Sequence, residues 1–380
     1  MNAIYKKAVS VPIMIWLALA LSGCGLREQA REVDQLLVVQ AMGVDAAASG
    51  VRLTLSSAAG SESGSPPMRL EGSGTGVVEA IERIRAGANE EDLLCAHIGH
   101  LLIGEETARR GIGPCLDYLC RTGDLRLSVP ICVLRGGEAR EALLGVGNES
   151  YGASDALESV DGDLRARGDG RSTPAAGILR DLARYGSALV CAVSLEPSAE
   201  ADASAGAEER PLTLVPSGYA VLKSGKLLGF LDREQAVGVG LLLGESGLCE
   251  IAVTDQAGLP VTLTLSGGSG ALEPRFDESG ALRGLAVTVE AEALLAEGAA
   301  GDTEPEYLQR MLERALEARV REVLRLSQRW DADFLGLAGR LSLRAPGLRE
   351  EDFAALWPEL PLTVGVSAVL RGGGGLEEGA

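Results

Sequence analysis

Between Leu248 and Ala293 the chain carries three strand patterns in succession with no helical pattern between them, at Leu248–Thr254, Val261–Ser266 and Leu285–Ala293. Val261-Thr262-Leu263-Thr264-Leu265 alternates apolar and polar residues, as a half-exposed strand does. The longest helical pattern follows, from Glu304 to Trp330, with Leu308, Met311, Leu312, Ala315, Val320, Val323 and Leu324 on one face. Glu313, Arg314, Glu317, Arg321 and Glu322 occupy the other faces, and Pro305 suits the first helical turn. Strands in runs followed by one long helix specify an α+β architecture of mixed or antiparallel sheets packed with helices, rather than regular β-α alternation. The apolar stripe of the helix reads as core packing before it reads as a partner-binding face.

The remaining elements extend this pattern over several domains. Leu36–Asp45 reads as a buried strand and Val51–Ser56 as its hairpin partner, with Ala46–Gly50 between them. Ala59–Gly76 is rich in Gly and Ser and reads as a loop. Gly76–Ala86, Thr107–Cys120, Glu138–Leu144 and Thr173–Tyr185 read as helices; Leu93–Ile103, Leu127–Leu134 and Ser187–Leu195 read as strands. Gly218–Leu222 and Lys226–Phe230 around Ser224-Gly225 form a hairpin pattern, and Asp232-Arg233-Glu234 opens a helix carrying Val237 and Leu241. Phe353, Leu356 and Trp357 mark a short element before a closing strand, Leu362–Leu370. The expected division is an N-terminal α+β region over 36–195, a disordered linker or loop over 196–210, a C-terminal α+β region over 211–371 and a flexible tail over 372–380. A further division near 245 is left open. The segment 196–210 has no apolar anchor with which burial could offset the entropy of ordering it.

The N-terminus carries an address. Lys6 and Lys7 precede an apolar run, Val9–Leu21, of 13 residues, short of the roughly 18–20 that cross a bilayer. Leu21-Ser22-Gly23-Cys24 then supplies small residues followed by a cysteine, the pattern of a lipoprotein signal peptide over 1–23. The expectation is a diacylglycerol, with palmitate-type acylation, on the Cys24 thiol, cleavage before Cys24, and a lipidated tether over 24–35. Cleavage removes two of 35 basic residues and none of the 54 acidic ones, leaving 33 − 54 = −21. Such a charge disfavours nucleic acid, whose phosphates need Lys and Arg. It also removes any electrostatic hold on anionic lipid, so the acyl chains must do the anchoring.

Hydrophobic residues make up 46% of the chain but aromatics only 3%, so its cores have to be built from Leu, Val and Ala. Beyond Cys24 the cysteines are Cys95, Cys115, Cys120, Cys132, Cys191 and Cys249, each in an apolar context where Cys acts as a small hydrophobe. A chain of this length does not need disulfide staples.

No catalytic constellation emerges. His97 and His100 are the only histidines, and their i, i+3 spacing on a strand would point them to opposite faces. No G-x-S-x-G elbow accompanies them. Gly72-Ser73-Gly74-Thr75-Gly76 and Gly238-Val239-Gly240 complete neither a dinucleotide fingerprint nor a P-loop, and the first reads as spacer. Asp161-Gly162-Asp163 lacks the rest of a calcium loop, and Arg167-Gly168-Asp169 is a tripeptide that arises often by chance. No cofactor and no metal are expected.

Taken in order, the blocks of the chain resemble the Ger(x)C family, the lipoprotein C subunits of spore germinant receptors. The resemblance runs from Cys24 through Arg31-Glu32, Leu36–Ala41 and Gly43-Val44-Asp45. It continues in Ala96–Glu106 with Ala108-Arg109-Arg110-Gly111, in Leu119–Leu127 with Arg121 and Arg126, and in the hairpin Gly218–Leu231. Gln328, then Asp333-Phe334-Leu335-Gly336, then Trp357 and the strand Val364–Leu370 are similar to the family's C-terminal domain. Gly25 departs from it, since many members carry Trp there. The resemblance implies a non-enzymatic subunit, held by its lipid on the outer face of the spore inner membrane and partnered by membrane-embedded A and B subunits. A ligand-binding lipoprotein of a transporter is the alternative; its usual two α/β lobes fit the strand runs poorly.

Overall fold

A computed structural model of the chain describes residues 36–57, 68–88, 92–123, 125–146, 152–167, 170–198, 211–298, 304–345 and 347–371. Cys24, its signal and tether, the tail from 372 and most of the expected linker, 199–210, lie outside the described residues.

The first sheet is mixed and contains ten strands among the described residues. Its middle is parallel: β1 (Leu36–Ala47), β5 (His100–Gly104), β6 (Pro130–Leu134) and β8 (Ser187–Pro197) lie side by side. β2 (Gly50–Ser57) and β3 (Arg69–Gly74) continue it antiparallel beyond β1, while short β4 (Asp92–Leu94) and β7 (Thr173–Pro174) pair with β1 and β6. Beyond β8 it ends in the antiparallel hairpin β9 (Leu212–Lys223) and β10 (Lys226–Leu231).

Parallel neighbours need crossover connections, and helices supply them. The central strands are therefore buried on both faces, which is why they read as nearly continuous apolar runs. Ile131 and Val133 of β6 and Val190 of β8 face a core that includes α1 (Val77–Gly87), α3 (Gly113–Arg121) and α6 (Ala175–Tyr185). Cys132, Leu134, Cys191 and Val193, alternating with them, face α4 (Ala139–Gly145) and α5 (Ala153–Arg167). Helix α2 (Glu105–Arg110) follows β5 directly.

The second sheet is β11 (Cys249–Thr254), β12 (Pro260–Phe276), β13 (Leu282–Glu297) and β14 (Leu362–Arg371). The first three are antiparallel and β14 runs parallel to β13. The long helix α8 (Pro305–Arg329) lies in the connection between β13 and β14, and its buried Leu308, Leu312, Leu316, Val320, Val323 and Leu324 enter the second core. With these go α7 (Arg233–Leu243), α9 (Leu337–Arg344) and α10 (Glu350–Leu356). The architecture is thus the expected α+β, with one long helix in the C-terminal part.

Several local expectations are corrected. Residues 69–74 of the expected loop form β3, because Gly72 and Gly74 let α1 press onto the strand: a Cβ on Gly72 would lie 2.7 Å from the Ala80 carbonyl oxygen. The apolar run Leu93–Ile103 is two strands separated by a 3₁₀ turn, Cys95–His97. Thr107–Cys120 is two helices interrupted at Gly111, whose φ of 126° ends the first. β12 runs past Ser266 through the Gly267-Gly268-Ser269-Gly270 stretch to Phe276, using register shifts against β13. Helices α5 and α9 have no counterpart among the sequence-based expectations. Of the expected linker, Glu196 and Pro197 belong to β8 and pair with Thr213 and Leu212. Among the described residues no disulfide joins the six cysteines beyond Cys24, not even the register neighbours Cys132 and Cys191.

Candidate functional site

The two sheets meet at a joint built largely from signature residues. On one side is the hairpin β9–β10. Ala220 and Leu222 of β9 face the first core, while Tyr219 and Val221, alternating with them, enter the second. On the other side is the segment that leaves α8, from Trp330 to Gly336.

Gln328 and Ser327 shape that segment from the last turn of α8. Gln328 Nε2 donates to the carbonyls of Trp357 (2.9 Å) and Leu360 (2.8 Å). Ser327 Oγ donates to the Ala332 carbonyl at 2.6 Å and accepts from Trp357 Nε1 at 3.0 Å. Trp357, 1% exposed, stacks on Phe353 with ring centres 5.3 Å apart. Asp333 accepts from the backbone N–H of Leu337 (2.7 Å) and Ala338 (2.8 Å), which closes the first turn of α9. Burial pushes the Asp333 carboxyl up, against the pull of those two N–H groups and of Arg340.

The hairpin and α6 clasp this segment. Lys223 Nζ donates to the Trp330 carbonyl at 3.3 Å and to Asp331 at 3.0 Å. The Trp330 ring lies on Gly229, where a Cβ would sit 3.0 Å from it. Gly336 has φ +64° and faces the Tyr185 ring, 3.0 Å from where a Cβ would be. Arg184, beside it, donates to Glu350 of α10 at 2.5 Å. This hydrogen bond holds the Glu350 carboxyl below the usual range and the Arg184 guanidinium above it.

The N-terminal signatures also serve the fold. Asp45 accepts from the N–H of Ala139 (2.7 Å) and Arg140 (2.8 Å), joining β1 to the start of α4. Burial raises its pKa, opposed by the same two N–H groups. Glu105 accepts from Gly136 N–H at 2.7 Å and pairs with Arg109. Burial works against its ionisation, but these partners outweigh it and its pKa is lowered.

His97 sits exposed on the 3₁₀ turn, whereas His100, on β5, is 8% exposed and faces Asp161 of α5 at 3.3 Å. The turn separates the two rings; the strand alternation expected from the sequence does not apply. Among the described residues no group of three or more His, Cys, Asp or Glu side chains could hold a metal ion. Among them, too, no helix is long and apolar enough to cross a membrane. Arg121 forms an exposed pair with Asp117 and takes no part in the joint.

Tyr185, Arg184 and Glu350 carry no sequence signal for their role. The glycines were the only hint, since Gly229 and Gly336 are places where another chain segment must come close.

The polar side chains of this joint are committed to backbone groups or to each other. A family model described as "Spore germination protein N-terminal domain" matches residues 29–155, and one described as "Spore germination B3/ GerAC like, C-terminal" matches residues 217–374. No curated protein matches the chain. A solved structure described as "Crystal Structure of the GerBC protein" superposes with a TM-score of 0.53 at 16% identity, covering 87% of this chain and 96% of that one. At that identity the likeness speaks for the fold, and the family models carry the assignment. The two domain models, matched in order along the chain and together covering more than half of it, place this chain in the Ger(x)C family of spore germination proteins, the germinant-receptor C subunits.

Proposed function

We propose that this chain is the non-enzymatic C subunit of a nutrient germinant receptor, anchored by lipid on Cys24 to the extracytoplasmic face of the spore inner membrane and working there with A and B subunits. The observation that carries the reading is the pair of family matches in order along the chain. The commitment of Asp45, Gln328, Asp333 and Trp357 to structural contacts supports a binding rather than a chemical role. In this reading the tether over 24–35 spaces a strongly acidic body from the membrane, and the acyl chains supply the attachment that its charge cannot. The division proposed is an N-terminal α+β region over 36–195 and a C-terminal α+β region over 211–371, whose first hairpin, β9–β10, completes the first sheet.

Deleting the gene tests this. Germination with nutrients should slow, while germination with a direct calcium–dipicolinate trigger stays intact. A normal nutrient response in a strain with no redundant receptor would overturn the reading. Cys24→Ala separates anchor from body: it should release the protein from membranes or leave an uncleaved precursor.

A further inference from the structure

A cavity of about 610 Å³ opens between the end of α5, the start of α7, β11 and the middle of α8. Arg167, Arg233 and Arg319 line it with Glu234, Glu250 and the apolar Val237 and Leu248. Arg319 is the unusual member. Its side chain is 15% exposed, and among the described residues its Nη1 has no hydrogen-bond partner. Its Nη2 is 4.0 Å from Glu234, whose own side chain is 77% exposed. Elsewhere on the surface, guanidiniums meet carboxylates at hydrogen-bond distance, as Arg371 does Glu292 at 2.9 Å.

A guanidinium cannot shed its proton, so burying one without a bonded anion is costly and calls for a compensating partner. The position is not free to relax. A Cβ on Gly238 of α7 would lie 2.9 Å from the Arg319 carbonyl oxygen, so the two helices cross in contact there and fix where the arginine leaves α8. Gly238, in a run that matches no nucleotide motif, thus lets α7 approach the α8 backbone at Arg319.

We propose that the cavity binds a small aliphatic monocarboxylate, with its carboxylate on the Arg319 fork and its hydrocarbon part against Val237 and Leu248. The size fits, since small-molecule sites span roughly 300–1,000 Å³. Planar bidentate recognition is what a guanidinium offers a carboxylate. Three arginines and two glutamates line it, in a chain whose formal charge is −19. That balance suits a monoanion, whereas Glu234 and Glu250 repel a dianion such as phosphate. The apolar wall also favours a ligand with a tail; Leu248 is 57% exposed at present.

The test uses detergent-solubilised full-length protein titrated with isovalerate, and with inorganic phosphate at matched ionic strength, read by calorimetry and ligand-observed NMR. Saturable isovalerate binding is expected, with phosphate weaker by at least about tenfold. Arg319→Gln should weaken isovalerate by at least about tenfold while the protein stays folded, because it removes a buried charge that no anion bonds directly. Glu234→Gln should tighten it by removing repulsion, an effect that a purely structural arginine would not produce. If Arg319→Gln does not fold, Arg319→Lys keeps the charge, loses the fork and carries the same expectation. No saturable binding, equal binding of phosphate, or affinity indifferent to Arg319 and Glu234 overturns the proposal; Nη1 is then satisfied by water alone. The proposal stands apart from the receptor reading, which none of these outcomes touches.

Discussion

Arg184 and Glu350 are 166 positions apart in the chain, yet their side chains meet at 2.5 Å and tie α6, on the first sheet, to α10, beside the second. Around them the Tyr185 ring packs on Gly336, and Trp330 packs on Gly229. The joint therefore combines two ion pairs, Arg184–Glu350 and Lys223–Asp331, with two close approaches of a ring to a glycine.

The Arg184–Glu350 pair should have a pH signature. Glu350 has its carboxyl held below the ordinary value of 4.5 by the hydrogen bond from Arg184, against a small opposing effect of burial. A lowered folded-state pKa means that the pair's contribution is present above about pH 4.5 and lost as pH falls through the lowered value. Thermal melts of wild type and Glu350→Gln should differ at pH 7 and converge as the pH is taken below 4.5. An equal gap at both ends of that range would show the ion pair to be irrelevant to the joint. The effect is modest at neutral pH because both side chains are partly exposed.

Gly339→Ala should be destabilising, since its Cβ would fall 2.4 Å from Tyr185 Oη. Tyr185→Phe removes that oxygen. In a double-mutant cycle the penalty of Gly339→Ala should be smaller in the Tyr185→Phe background, with a coupling of about 1 kcal/mol. Additive effects by denaturant titration would place the clash elsewhere.

Gly336→Ala combines a φ of +64° with a Cβ 3.0 Å from the Tyr185 ring. Strain in the left-handed region alone costs about 1–2 kcal/mol. The expected outcome is a loss of that size or somewhat more in urea unfolding, and a loss below half a kcal/mol would contradict the geometry.

Asp45→Ala should cost about 2 kcal/mol, because it strands the N–H groups of Ala139 and Arg140 at the start of α4. Hydrogen exchange provides a sharper check. Amides in Ala139–Gly145 should lose protection before those in α8, whose end is held by Gln328 and Ser327.

Thiol chemistry can report on Cys24. Cys120 is exposed, Cys249 is partly so, and the other four described cysteines are buried; burial pushes the Cys115 thiol up to about 12. Maleimide should label Cys120 first in the native protein, and all six cysteines beyond Cys24 should react after unfolding under non-reducing conditions. A seventh reactive thiol in protein isolated from membranes would mean that Cys24 carries no lipid.

The elements most legible in the sequence were those with clean periodicity. Val261–Leu265 alternates and is strand; Leu308 to Leu324 repeats at helical spacing and is helix. Where reading failed, the deciding interaction was distant. Residues 69–74 look like spacer because Gly, Ser and Glu carry no strand propensity, yet β2 pairs with them and α1 presses on their glycines. The run Leu93–Ile103 is apolar throughout, so nothing local distinguishes one strand from two with a turn at Cys95–His97. Helix α5 escaped notice because its residues are polar on average; its role appears in the buried Leu157, Val160 and Leu164 and in Asp161 facing His100.

By itself the sequence determined the α+β class, most elements, the family, and the expectation of an anchor at Cys24, because periodicity and motif order are properties of neighbours along the chain. Only the tertiary structure decided that the hairpin Leu212–Leu231 completes the first sheet from beyond the 196–210 segment, and that Gly229, Tyr185, Trp330 and Gly336 converge at one joint. The physical reason is that strand pairing and close packing select among partners far apart in sequence. That choice rests on complementary shape and unsatisfied backbone groups, neither of which leaves a pattern in any short window of residues.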